Sequence, residues 1–212
     1  MKRHRLGILS LSGAIGPAIF TLAIVSSAAL RPKYDHLHDF ISALGASGSP
    51  TEYLMNFGGF LPTGFLMLVF GCSLYITLSG SKSFLAIIGC LLIVLFGLGM
   101  IIVGVYSCDG DCFESVTKEG LIHGQVSAII FNAVVIGILL LGIAFRRQIA
   151  FRKFMWYSIL SAVLAAVFIV KMVGSFETRT FTGLWQRLFL LTIFTWTTVI
   201  GWSNYTSGKK TN

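Results

Sequence analysis

Three of the four histidines in this chain stand near acidic residues or cysteines, in two short polar segments set between long apolar runs. The first segment reads Tyr34-Asp35-His36-Leu37-His38-Asp39-Phe40-Ile41-Ser42-Ala43-Leu44-Gly45. Projected as a helix at about 100° per residue, it places Tyr34, Leu37, Phe40, Ile41 and Leu44 on one side. Asp35, His38, Asp39 and Ser42 fall on the other, with His36 at the border. Pro32 and Gly45 supply start and stop signals, so a short amphipathic helix is expected, lying at the membrane surface or in the bundle mouth. Two carboxylates, an imidazole and a hydroxyl on one arc are the makings of an acid–base or metal site. The plainer alternative is a polar face turned to water.

The second segment, Tyr106-Ser107-Cys108-Asp109-Gly110-Asp111-Cys112, is followed by Glu114, Glu119 and His123-Gly124-Gln125. Cys108 and Cys112, in an extracytoplasmic loop, suggest a disulfide closing an acidic turn. The competing reading is a zinc site built from Cys108, Cys112 and His123. His123 starts an apolar run, where helix-end N–H groups disfavour an imidazolium, so a neutral ring is expected, suited to act as a base or ligand. The candidate acid–base set is therefore His38, Asp39, Ser42, Asp109 and His123. His38, Asp39, Asp109 and His123 form the candidate ligand set for a divalent metal. Arg187 is a charge near the start of the last apolar run. It needs a partner or must snorkel outward, and reads as an anion clamp for a lipid head group or as a salt bridge to Asp39 or Asp109.

The elements that position these groups are helices. Of the 212 residues, 55% are hydrophobic and 11% charged, against about 25% charged in soluble domains. Lipid offers backbone groups no partners, so apolar runs of this length must be helical. Six runs qualify, at 6–30, 53–78, 84–106, 122–145, 154–175 and 184–205. The expected architecture is all-α: a polytopic integral membrane bundle of six transmembrane helices forming a single domain over 1–212. The first run follows a basic start but is too long for a cleaved signal, and reads as a retained span.

The net charge of +8 follows topology. With a cytoplasmic N-terminus, Lys2, Arg3, Arg5, Lys82, Arg146, Arg147, Arg152, Lys153, Lys209 and Lys210 lie inside, satisfying the positive-inside rule. All eight acids, from Asp35 to Glu177, lie outside. This predicts a multi-pass cell-membrane protein with both termini cytoplasmic, a lipid bilayer as its partner and no nucleic acid. Trp185, Trp196 and Trp202 read as an aromatic belt and packing.

Taken together, the segment 34–45, Asn56, Cys108-Asp109-Gly110-Asp111-Cys112, His123-Gly124 and Gly183-Leu184-Trp185-Gln186-Arg187 resemble a prokaryotic membrane family known as domain of unknown function 998. Tyr106-Ser107 stands where that family often has Phe-Pro. The resemblance implies six helices and no assigned activity. With Arg187, the residues Gln186 and Asn56 complete the candidate substrate-binding set. Three function classes remain open: a metal-dependent hydrolase or transferase acting on lipid or envelope substrates, a non-catalytic membrane subunit, and a small transporter built around Lys171.

Overall fold

A computed structural model describes residues 2–81 and 83–209. Its α-helical segments run as α1 (Lys2–Ser10), α2 (Ser12–Ala29), α3 (Glu52–Met55), α4 (Leu61–Leu78), α5 (Phe84–Val105), α6 (Lys118–Phe145), α7 (Met155–Gly174) and α8 (Thr182–Lys209). There is no strand among the described residues. Five stretches are long and apolar enough to cross a membrane: Leu6–Ala29, Glu52–Leu78, Phe84–Val105, Lys118–Phe145 and Arg152–Gly174. Each falls within a few residues of an apolar run read from the sequence. The sixth run is also one continuous helix, α8, but it does not stand among the five. Thr182, Gln186, Arg187, Thr197, Ser203 and Asn204 dilute its apolar character. Lys82 and Lys210, two of the cations used for orientation, lie outside the described residues.

Packing closes the bundle into a ring. α4 packs on α5, α5 on α6, α6 on α7 and α7 on α8, while α8 returns to α1 and α2, which also lean on α4. Gly64 and Gly97 set the α4–α5 approach: a Cβ added at Gly97 would stand 2.8 Å from the Gly64 carbonyl oxygen. Phe20, Phe70, Phe96, Phe145, Phe189 and Trp196 are fully buried. Trp196 Nε1 donates to Ser158 Oγ at 2.9 Å, so this tryptophan is a core residue and not part of an interfacial belt. At the loop-poor end, Asn204 donates to Ser10 Oγ at 2.7 Å and to Thr77 Oγ1 at 3.1 Å. The polar positions there are thus satisfied inside the bundle, as buried polar groups must be.

The segment 34–45 departs from expectation. It does not form one amphipathic helix: turns occupy its first half, and a 3₁₀ helix follows at Ile41–Gly45, fully buried. The reason lies in α8. Gly183 N–H donates to His38 O at 3.2 Å and Leu184 N–H to Leu37 O at 2.9 Å. Arg187 Nη1 donates to Asp39 O at 3.0 Å. Ile41 N–H donates to Gln186 Oε1 at 2.6 Å. Backbone groups that a helix would pair locally are pinned to the start of α8 instead, and each buried group is satisfied either way. Gly183 makes this approach feasible, since a Cβ there would run into the Asp39 carbonyl. A π-helical turn at Asn56–Phe60 joins α3 to α4. Such wide turns are uncommon and shift the register of side chains beyond them.

Candidate functional site

At the loop-rich end, the fold sorts the candidate residues into three places. The first is a cavity of about 200 Å³ beside α6 and α7. Phe40, Phe131, Ile169 and Met172 give it apolar walls, and Ser42, His123, Ser127, Asn132 and Gln186 give it polar points. A smaller void of about 20 Å³ adjoins it, sharing Ser42, His123, Ser127, Phe131 and Gln186. That volume suits about one water molecule, and the polar lining meets the partner requirement. Ser42 arrives on the 3₁₀ helix, His123 and Ser127 one turn apart on α6, and Gln186 on the first turns of α8.

His123 is 6% exposed. Its Nδ1 lies 2.8 Å from Tyr106 O and 3.1 Å from Val103 O. Carbonyl oxygens only accept, so Nδ1 carries the proton and a neutral ring holds its lone pair on Nε2. Nε2 has no hydrogen-bond partner among the described residues, and the ring lines the cavity. Gln186 Oε1 is committed to Ile41 N–H, which leaves the side-chain amide N–H groups as donors.

The second place is the loop surface. Asp109 accepts from Val116 N–H at 2.8 Å, Thr117 N–H at 2.9 Å and Thr117 Oγ1 at 2.7 Å. Thr117 in turn caps α6 through Gly120 N–H. His38 Nδ1 lies 2.9 Å from Asp35 Oδ2, and its ring stacks on Phe181 at 5.3 Å. Asp39 Oδ2 accepts from Asp35 N–H at 2.9 Å. His38 and Asp39 are thus both tied to Asp35, Asp109 to Val116 and Thr117, and His123 to the backbone of Val103 and Tyr106. Among the described residues, no three His, Cys, Asp or Glu side chains are grouped to hold a metal ion. Cys108 and Cys112 are neighbours, with Cα atoms 5.2 Å apart.

Backbone donation from Thr117, then the Thr117 hydroxyl and Val116, holds the Asp109 carboxyl below the usual carboxylate range. A pKa depressed on folding stabilises the native loop above the unfolded value, and that contribution disappears as pH falls through the folded one. The stability gap between wild type and Asp109→Asn, read by thermal melts in detergent, is thus expected to be full at neutral pH. It should close as the pH drops below about 4, the ordinary Asp value.

The third place is a groove between α2 and α8, with Arg187 at its loop-rich end. Arg187 donates to Asp39 O, Gly183 O, the Tyr34 hydroxyl and His36 Nδ1. It makes no ion pair with Asp39 or Asp109. Asn56 is buried deeper, donating to Gly45 O at 2.9 Å and Ser107 Oγ at 3.0 Å. Ser107 Oγ donates onward to Glu52 at 3.0 Å, tying the two polar segments together. Lys171 is exposed on the last turn of α7.

The cavity thus gathers Ser42, His123 and Gln186 from the expected set. Ser127, Phe131 and Asn132 were not anticipated. The signal for the first two was the spacing of four and then eight residues from His123, which puts all three on one face of α6.

A family model described as "Protein of unknown function (DUF998)" matches residues 14–203. No curated protein and no solved structure matches this chain.

Proposed function

The chain belongs to the DUF998 family of proteins of unknown function, and on that premise we propose that it acts on a lipid-like amphiphile in the His123 cavity, as a hydrolase or transferase. One observation carries this reading. A buried imidazole, with one nitrogen fixed by backbone carbonyls and the other unpartnered, lines an apolar cavity beside two hydroxyls. In that setting His123 takes a proton from the attacking hydroxyl, of water or an acceptor alcohol, and returns it to the leaving oxygen. The Gln186 amide N–H groups donate to developing negative charge. Apolar walls suit an acyl or isoprenoid chain.

The reading assumes six spans, with α8 as the sixth because it packs along α1, α2 and α7. It sets the loop-rich end outside the cell membrane and both termini in the cytoplasm, following the positive-inside rule. Cys108 and Cys112 then face an oxidising compartment and form a disulfide. A divalent metal at His38, Asp39, Asp109 and His123 would require those loops to rearrange, so the metal-free proton-transfer reading is preferred.

The test places purified protein in nanodiscs made from the total lipid extract of its expression host, followed by mass spectrometry of the lipids. New or depleted lipid species with wild type, absent with His123→Asn, support the reading. An identical profile for both contradicts it. The second reading, a non-catalytic membrane subunit, is favoured by Asp39, Asp109 and Arg187 all holding the loops together. It predicts that identical profile together with lowered thermal stability in Arg187→Gln.

A further inference from the structure

The groove between α2 and α8 has a volume of about 840 Å³ and is lined mainly by apolar groups, among them Pro17, Leu22, Leu191, Phe194 and Val199. Arg187 is the charged residue in its lining. From Arg187 to Val199 it follows α8 for about 18 Å at the helical rise per residue. One leaflet of the hydrocarbon core is roughly 15 Å deep. A groove of leaflet length with a cation at its loop-rich end has the shape and polarity of a phospholipid.

Charge decides which phospholipid. The four Nη–H donors of Arg187 go to two backbone carbonyls, a phenol and an imidazole, all acceptors without a full negative charge. The Arg31 guanidinium donates to Ala43 O. Arg31 and Arg187 stand 5.7 and 5.4 Å from the centre of the same Tyr34 ring. Neither has a carboxylate within ion-pair distance among the described residues. The Asp39 carboxylate accepts from Asp35 N–H and forms no ion pair with either guanidinium. Arg187, at the groove's end, is therefore held by neutral acceptors and not by an ion pair, and its Nε–H has no partner among the described residues.

We infer that the α2–α8 groove binds an anionic phospholipid, with its acyl chain along Pro17, Phe194 and Val199 and its phosphate at Arg187. This site is separate from the His123 cavity and does not rest on the catalytic reading. It touches the small void beside His123 through Phe20, Ile41 and Leu190.

The experiment is native mass spectrometry of protein released from nanodiscs holding equal parts phosphatidylglycerol and phosphatidylcholine. Wild type should retain phosphatidylglycerol by roughly fivefold or more, the ratio expected from each surface cation acting on an anionic lipid. Arg187→Gln should bring that ratio close to one. Ala18→Phe fills the groove without touching either arginine, and should lose the retained lipid while leaving the His123→Asn comparison of lipid profiles as it was. Equal retention of both lipids by wild type, or full retention in Ala18→Phe, would overturn the inference. So would loss of the preference on adding inorganic phosphate, which would mark a free-anion site. If Arg187→Gln does not fold, the Ala18→Phe result decides.

Discussion

His123→Asn is expected to cut turnover of the lipid substrate by roughly a hundred- to ten-thousand-fold, the range for removing a general acid–base group. Asparagine is the informative choice. Its side-chain amide is able to donate to Tyr106 O in place of Nδ1–H, but it offers no basic nitrogen to the cavity. Fold and catalysis are thereby separated. His123→Ala would also leave two backbone carbonyls without their donor, at about 1–3 kcal/mol for each buried group left unsatisfied. Lost turnover with a thermal midpoint within a few degrees of wild type is the expected pattern for His123→Asn. Asp39→Asn and Asp109→Asn, whose side chains serve the loops, should retain turnover while they remain folded.

The second large effect concerns stability. Asn56→Leu is expected to lower the thermal midpoint in detergent by about 10 °C, from a loss of roughly 2–4 kcal/mol across two buried hydrogen bonds. Asn56 is 3% exposed, and its amide bridges Gly45 O to Ser107 Oγ. Ser107 then reaches Glu52, which also accepts from Gly48 N–H at 2.8 Å. Leucine is similar in size, so the loss comes from unpaired acceptors and not from an empty volume. Ser42 sits on the 3₁₀ helix that ends at Gly45, so turnover should fall along with stability. A midpoint unchanged within two degrees or so would show that the two polar segments hold together without Asn56.

These two residues also show what the sequence made legible. Apolar runs separated by short charged loops announced the helices, because backbone in lipid has no other way to satisfy itself. Segment 34–45 had the right period for a helix, yet its backbone is bonded to residues 183–187, some 145 residues further along the chain. Local periodicity carries no trace of such a partner. The same limit applies to function. His123 stood out at the start of an apolar run and Ser42 on a polar arc with Asp35, His38 and Asp39, whereas Ser127 looked like any serine in a helix. Asp39 and Asp109 drew attention as carboxylates close to histidines, but nothing local indicated that backbone N–H groups would claim them. Arg187 was recognisable as a charge needing partners, and the partners turned out to be neutral. α8 was legible as a helix, although its polar residues, matched by others on α1 and α4, make it less apolar than the other runs.

The most direct measurement maps where an amphiphile sits. A photoactivatable, alkyne-bearing fatty acid would be irradiated with the protein in detergent and the labelled peptides identified by mass spectrometry. Besides labels in the α2–α8 groove, the account predicts labels within residues 124–132 and 169–176 that fall severalfold when Ala128→Trp fills the cavity beside His123. Labels spread evenly over the outer faces of all the long helices, and unchanged in Ala128→Trp, would contradict it.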